Sequence, residues 1–299
     1  MGKKMTAEQY KVKLDEQIEK DCTSFSQKYG DRIYHYTSVS ALDGMVRDRE
    51  FWFPCASSMN DKLDSKYLID SIQYALLADL GDNYKQKIVD LFDNSIYPEL
   101  NRKYPYNMSF STVREDAAQW ERYADNAAGV CIGFNSAAMK RLFRLELFQE
   151  VFYNYPGKEH QHFANLKEYL TRGTTGSFID TSGNPSLRGL ISNLIITANL
   201  YKHFSFSAEK EVRLCPYWHY HSDNATIVFK QIRGIIRKVC IINIPRDSSS
   251  DHNAFEDLFD EIIIGPRSQQ NITELQDYFI SLGYPKLSSI VKRSVCPLR

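Results

Sequence analysis

Three short stretches place acids, bases and aromatics where they can do chemistry. "RIYHYT" (32–37) sets His35 between two tyrosines, "SFST" (109–112) carries Ser111, and "SAEKEVRL" (207–214) carries Glu209, Glu211 and Arg213. Side chains alternate between the faces of a strand. The first stretch therefore sends Ile33, His35 and Thr37 one way and Tyr34 and Tyr36 the other. The third sends Glu209, Glu211 and Arg213 to one face and Lys210, Val212 and Leu214 to the other. If Val212 and Leu214 pack in the core, the Glu-x-Glu-x-Arg edge faces either solvent or a cleft, and charge ladders of the solvated kind are common on antiparallel sheets. His35 is open to two readings as well, a hydrogen-bonded structural residue or a ligand contact.

Other chemistries find little support. "HQH" (His160, His162) and "HYH" (His219, His221) have a two-residue spacing, but no cysteine or carboxylate set accompanies them. They read as exposed loop histidines, and no metal is expected. There is no G-x-S-x-G elbow, no cysteine in a catalytic context and no glycine-rich phosphate loop.

The chain has 299 residues, 43% of them hydrophobic, which suffices for a packed core. Lys plus Arg and Asp plus Glu both number 37, so no global field draws the molecule to nucleic acid or to an anionic membrane. Six cysteines lie scattered, several in apolar runs, as reduced thiols do. No apolar leader or membrane-length segment occurs. The expectation is a cytoplasmic protein with no membrane partner.

These residues need elements to hold them. Residues 6–28 read as an amphipathic helix ending near Gly30, an N-terminal extension (1–30) to a single α+β domain (31–299). Strands are expected at "RIYHYT", "EFWFP", "YNMSFSTV" and "GVCIGFN", and later at "EVRLCPYW", "ATIVFK", "KVCIINI" and "EIIIGP". Ser38 or Ser40 caps a helix running through Val46, and Asn60 caps the next. Further helices fall near 83–97, in "EDAAQWERYAD", over most of 144–207, and near 252–258 and 270–282. "RGTTGSFIDTSGNPS" reads as a mobile surface loop.

Taken in order, "YHYTS", "MND", "FS…QWERYADNAAGVCIGFN", "F-x-x-E-x-E-x-R" and "IIIGP" resemble the bacterial family called domain of unknown function 2971, over about residues 32–270. That family in turn resembles the ADP-ribosyltransferases. The resemblance implies a split, mostly antiparallel β-sheet core with a helical insertion, and NAD as the consumed substrate. Two positions depart from the usual pattern. N-D-P-x-E stands here as "NDKLD", with Lys62 for proline and Asp64 for glutamate, and Phe206 replaces the tryptophan before E-x-E.

The resemblance assigns roles. Cleaving the bond between nicotinamide and ribose builds positive charge on the sugar, so a fixed carboxylate stabilises the transition state above the ground state. Glu211 takes that role, and Glu209 orients or deprotonates the acceptor. His35 and Thr37 hold a ribose hydroxyl or the nicotinamide amide, with Ser111 as the middle-strand residue. Arg213 belongs to the same edge, and Tyr36, Trp120 and Tyr123 are aromatic walls, although core packing accounts for Trp120 equally well. The implied activity is that of a bacterial toxin or antiviral defence effector, with a protein or nucleic-acid acceptor and an antitoxin or immunity partner. A non-catalytic nucleotide- or protein-binding module of the same fold is the competing reading.

Overall fold

The computed structural model describes residues 7–56, 66–102, 106–153, 157–171, 187–217, 225–232, 234–245 and 251–298. Ten strands are found among them: β1 (Arg32–Thr37), β2 (Glu50–Pro54), β3 (Met108–Ser111), β4 (Val130–Asn135), β5 (Leu147–Glu150), β6 (Glu211–Cys215), β7 (Ala225–Ile232), β8 (Ile235–Asn243), β9 (Phe259–Ile264) and β10 (Val291–Arg293). The first helices are α1 (Ala7–Tyr29), α2 (Val39–Arg47), α3 (Tyr67–Leu80), α4 (Asp82–Leu91), α5 (Tyr97–Arg102) and α6 (Ala117–Tyr123). The others are α7 (Ser136–Leu142), α8 (Gln161–Thr171), α9 (Leu187–Ala198), α10 (Asp251–Glu256), α11 (Ile272–Ser281) and α12 (Pro285–Ser289).

The architecture is mixed α+β. Seven strands form a sheet in the order β10-β9-β4-β1-β3-β6-β5, antiparallel except for the β10–β9 pair, and three form an antiparallel sheet in the order β2-β8-β7. The centre of the larger sheet goes to β1, and its neighbour β4 has a "VCIGF" run buried on both faces. The two sheets pack face to face. Phe51 and Phe53 of β2 meet Phe143, and Phe51 meets Phe134 of β4, within a core that includes Ile33, Phe110, Val212 and Leu214. A second core is made by α3, α4, α8 and α9, around Ile72, Phe92, Leu166 and Leu194. Helix α1 lies on α7, with Phe25 in the main core and Ser26 hydrogen-bonded to Ser136 at 2.8 Å.

Several expectations need correction. The stretch 144–207 is not uniformly helical, because Leu147–Glu150 adds the edge strand β5 next to β6, with Phe148 packed on Phe25 and Phe110. The helix expected at 83–97 is instead α4, one wider π turn at Phe92–Ile96, and α5. The Asn60 cap, the "NDKLD" stretch, His219, His221 and the 172–186 loop lie outside the described residues. Of the two serines offered as a cap for α2, Ser38 is the one, accepting from the Ala41 N–H at 3.1 Å.

Candidate functional site

Strands β1 and β4 pair along their whole length, from Arg32 opposite Asn135 to Thr37 opposite Val130. Strands β1 and β3 pair at one position, Tyr34 opposite Ser111. Beyond it the ladder is taken over by a side chain, as His35 Nδ1 lies 2.8 Å from the Ser109 carbonyl oxygen. A carbonyl only accepts, so Nδ1 carries the proton and Nε2 is left as an acceptor. Burial of the ring pushes its pKa down to about 4, and the Ser109 carbonyl opposes this only in part, so the imidazole is neutral at pH 7.

Ser109 also faces the acidic pair. Its hydroxyl donates to Glu211 Oε1 at 2.5 Å, so one residue joins His35 through its carbonyl to Glu211 through its side chain. Strand pairing explains this, because Ser109 stands opposite Arg213 and Ser111 opposite Glu211, and opposed residues share a face. Arg213 grips both oxygens of Glu211, with Nε at 2.6 Å from Oε1 and Nη2 at 3.1 Å from Oε2. Lys202 donates to Glu211 Oε2 at 3.1 Å and to Glu209 Oε2 at 2.7 Å. Glu209 Oε1 accepts from the Tyr123 hydroxyl at 2.8 Å and from Arg122 at 3.2 Å.

The Glu-x-Glu-x-Arg edge is therefore not solvated. Glu209, Glu211 and Arg213 are 6%, 5% and 0% exposed. Nor do the three lie on one strand, because Glu209 ends a 3₁₀ turn (Phe204–Glu209) and Lys210 follows in the left-handed region at φ 45° before β6 begins at Glu211. Burial raises the Glu211 pKa, but the Arg213 and Lys202 charges and the hydrogen bonds from Arg213 and Ser109 outweigh it and hold the carboxyl at about 2.

A cavity of about 710 Å³ opens here, a size suited to a small-molecule ligand. Its walls come from both sheets and from α2 and α6. His35, Thr37, Ser109, Ser111, Tyr123, Lys202, Glu209 and Glu211 are among the residues that line it, with Trp52 and Arg237. Ser111 contributes indirectly. Its hydroxyl donates to the Glu209 carbonyl at 2.7 Å and accepts from Val113 N–H, which ties the acidic turn to β3.

Three of the expected contacts act differently. Trp120 is fully buried beneath the sheet, edge-on to Tyr36 at 5.2 Å, and is not a cavity wall. Tyr36 reaches the cavity, but its ring belongs to that small core and its hydroxyl donates to Val113 O and accepts from Asp116 N–H. Arg213 lies behind Glu211 and touches no cavity space. Tyr123, three residues after Trp120, does face the cavity.

Sequence reasoning missed Ser109 and Lys202. Ser109 was within reach, since alternation puts it on the same face as Ser111. Lys202 follows α9 in a segment without periodicity, and no pattern announces it. His160 and His162 are not exposed loop residues either. They stack at 4.9 Å where α8 begins, half-buried, with His162 pushed to a pKa of about 4 by burial and by its neighbour. Among the described residues no three His, Cys, Asp or Glu side chains are grouped to hold a metal ion. No described helix is long and apolar enough to cross a membrane.

The "YADNAAGVC" segment owes its form to a reversal between α6 and β4. Asp125, Asn126 and Ala127 all have positive φ, and Gly129 passes so close to β1 that an added Cβ would stand 2.2 Å from the Thr37 carbonyl oxygen. Only glycine fits there. The segment lies in a stretch, residues 119–214, that matches the model of a family described as Protein of unknown function (DUF2971). No curated protein and no solved structure matches the chain.

Proposed function

We propose that the cavity binds NAD and that the chain is an ADP-ribosyltransferase. The observation that carries this reading is the link through Ser109, which sets a neutral imidazole with a spare acceptor and an ionised carboxylate beside one ligand-sized cavity. In the reaction the bond between ribose C1′ and the nicotinamide nitrogen breaks, and its electron pair leaves with nicotinamide. The acceptor's nucleophile bonds to C1′ and releases its proton to solvent. Glu211, charged throughout the physiological range, stabilises the cationic sugar, and His35 Nε2 accepts from a ribose hydroxyl or the nicotinamide amide. The role in the cell would be that of a toxin or defence effector acting on a protein or nucleic acid, with an antitoxin or immunity partner to restrain it.

A second reading has its own support. Both Glu211 oxygens already accept hydrogen bonds, two each from Ser109, Arg213 and Lys202 combined. A saturated carboxylate suits a nucleotide- or protein-binding module that performs no chemistry. Incubating the protein with NAD and cell lysate and measuring free nicotinamide separates the two. The transferase releases nicotinamide and Glu211→Gln does not; absence of release from the wild-type protein with any acceptor leaves the binding module.

A further inference from the structure

Lys202 sits in the short connection that follows α9. Its backbone is fixed by reciprocal bonds with the segment after β5, Lys202 N–H to Phe152 O at 3.0 Å and Phe152 N–H to Leu200 O at 2.7 Å. The residue is 5% exposed, and the ammonium lies 4.8 Å from the centroid of the Phe206 ring. From that seat it reaches one oxygen of each glutamate, at 2.7 Å and 3.1 Å. Two carboxylates this close with no cation between them resist being charged together. A buried ammonium on a fixed stem removes that conflict and sets their spacing.

Glu209 is ill placed to accept a proton from an incoming nucleophile. A general base needs a lone pair open toward the proton it takes. Glu209 instead spends Oε1 on Tyr123 and Arg122 and Oε2 on Lys202. Its carbonyl is held as well, by Ser111 and by the Gln119 amide at 3.2 Å. Glu209 borders the cavity, but both of its carboxylate oxygens and its carbonyl are engaged in the network.

We propose that Lys202 is a positioning residue of the site: with Arg213 it keeps Glu211 an anion aimed at Ser109 and the cavity, and Glu209 is the second anchor of that lysine and not the catalytic base. This rests on the reading that Glu211 stabilises a developing sugar cation. It also gives Phe206 a purpose, since its ring supports the ammonium from a position with no need of the N–H donor that tryptophan would bring.

Carboxyl-¹³C glutamate labelling gives the direct test, by following the Glu211 titration in ligand-free protein alongside nicotinamide release from NAD. Lys202→Met is expected to raise the Glu211 titration by about 1–3 pH units and to lower kcat about 100-fold with KM changed less than about threefold. Lys202→Arg restores both, and Glu209→Gln leaves the Glu211 titration low. An unchanged titration in Lys202→Met, or a Lys202→Arg protein no better than Lys202→Met, overturns the proposal. If Lys202→Met does not fold, Lys202→Gln takes its place, with the same result expected and the same result contrary. The titration also stands apart from turnover: a raised Glu211 titration in a protein whose wild type never cleaves NAD upholds the lysine's role and sinks the transferase.

Discussion

Glu211 and Glu261 mark the two ends of one row across the larger sheet. Glu261 stands opposite Gly133, Gly133 opposite Tyr34, Tyr34 opposite Ser111, and Ser111 opposite Glu211. Both carboxylates are buried, and each is held by two cations. Glu211 has Arg213 and Lys202, with side chains 1% and 6% exposed, whereas Glu261 has Arg114 at 3.1 Å and Lys292, 41% and 45% exposed. Burial opposes the charge of Glu261 too, and the Lys292 and Arg114 hydrogen bonds bring its pKa below the usual carboxylate value. A buried, paired glutamate is therefore no signature of function by itself. What distinguishes Glu211 is a cavity in front of it, a histidine joined to it through Ser109, and cations that are almost fully buried.

The largest contrast between the two ends is expected in turnover. Glu211→Gln should cost about 1,000-fold in nicotinamide release, while Glu261→Gln stays within about threefold of wild type at a temperature where both are folded. Equal losses would erase the distinction.

Stability comes next. Arg213→Met leaves a buried carboxylate short of its main partner, and urea unfolding should show a loss of about 3–5 kcal/mol. Lys292→Met removes a half-exposed, solvent-screened partner and should cost less than about 1 kcal/mol. The middle of the row can be probed at Gly133, where an added Cβ would stand 2.6 Å from Glu261 Cγ and 3.2 Å from Tyr34 Cε1. Gly133→Ala should lower stability by about 1–3 kcal/mol, read as a fall in Tm.

The smallest effect is the pH dependence. His35 and His162 are held at about 4, against 6.5 in the unfolded chain, so the unfolded state takes up protons first as pH falls. Their contribution is complete above about pH 6.5 and is lost on the way down to about pH 4. Glu211, at about 2 against 4.5, contributes fully above about pH 4.5 and loses its contribution as pH drops toward 2. Thermal unfolding between pH 8 and pH 3 should thus show Tm declining in two stages, and His35→Asn should shrink the upper one without abolishing it. A single stage confined below pH 4.5 would contradict the lowered pKa of both histidines.

How legible the site was depended on how far apart its partners lie in sequence. Alternation places β1, β3 and β6 and the faces of His35, Ser111, Val212 and Leu214, because a strand with one apolar face can sit only one way round, and a continuous apolar run marks β4. It failed at Glu209, where a turn with a left-handed Lys210 breaks the period. It failed for the burial of the acidic pair because the compensating charges, Lys202 and Arg122, come from other elements. Trp120 and Tyr123 show the same limit, since three-residue spacing gives a shared side of α6 but not which ring meets the cavity. Strand β10, of three residues, is too short for any period to mark.

The structure of a complex with a non-cleavable NAD analogue tests the central claim most directly. The account predicts the nicotinamide ribose seated beside Ser109, one of its hydroxyls or the amide meeting His35 Nε2 and its C1′ turned toward Glu211. An analogue bound elsewhere on the surface, or a cavity that stays empty at millimolar analogue, would contradict it.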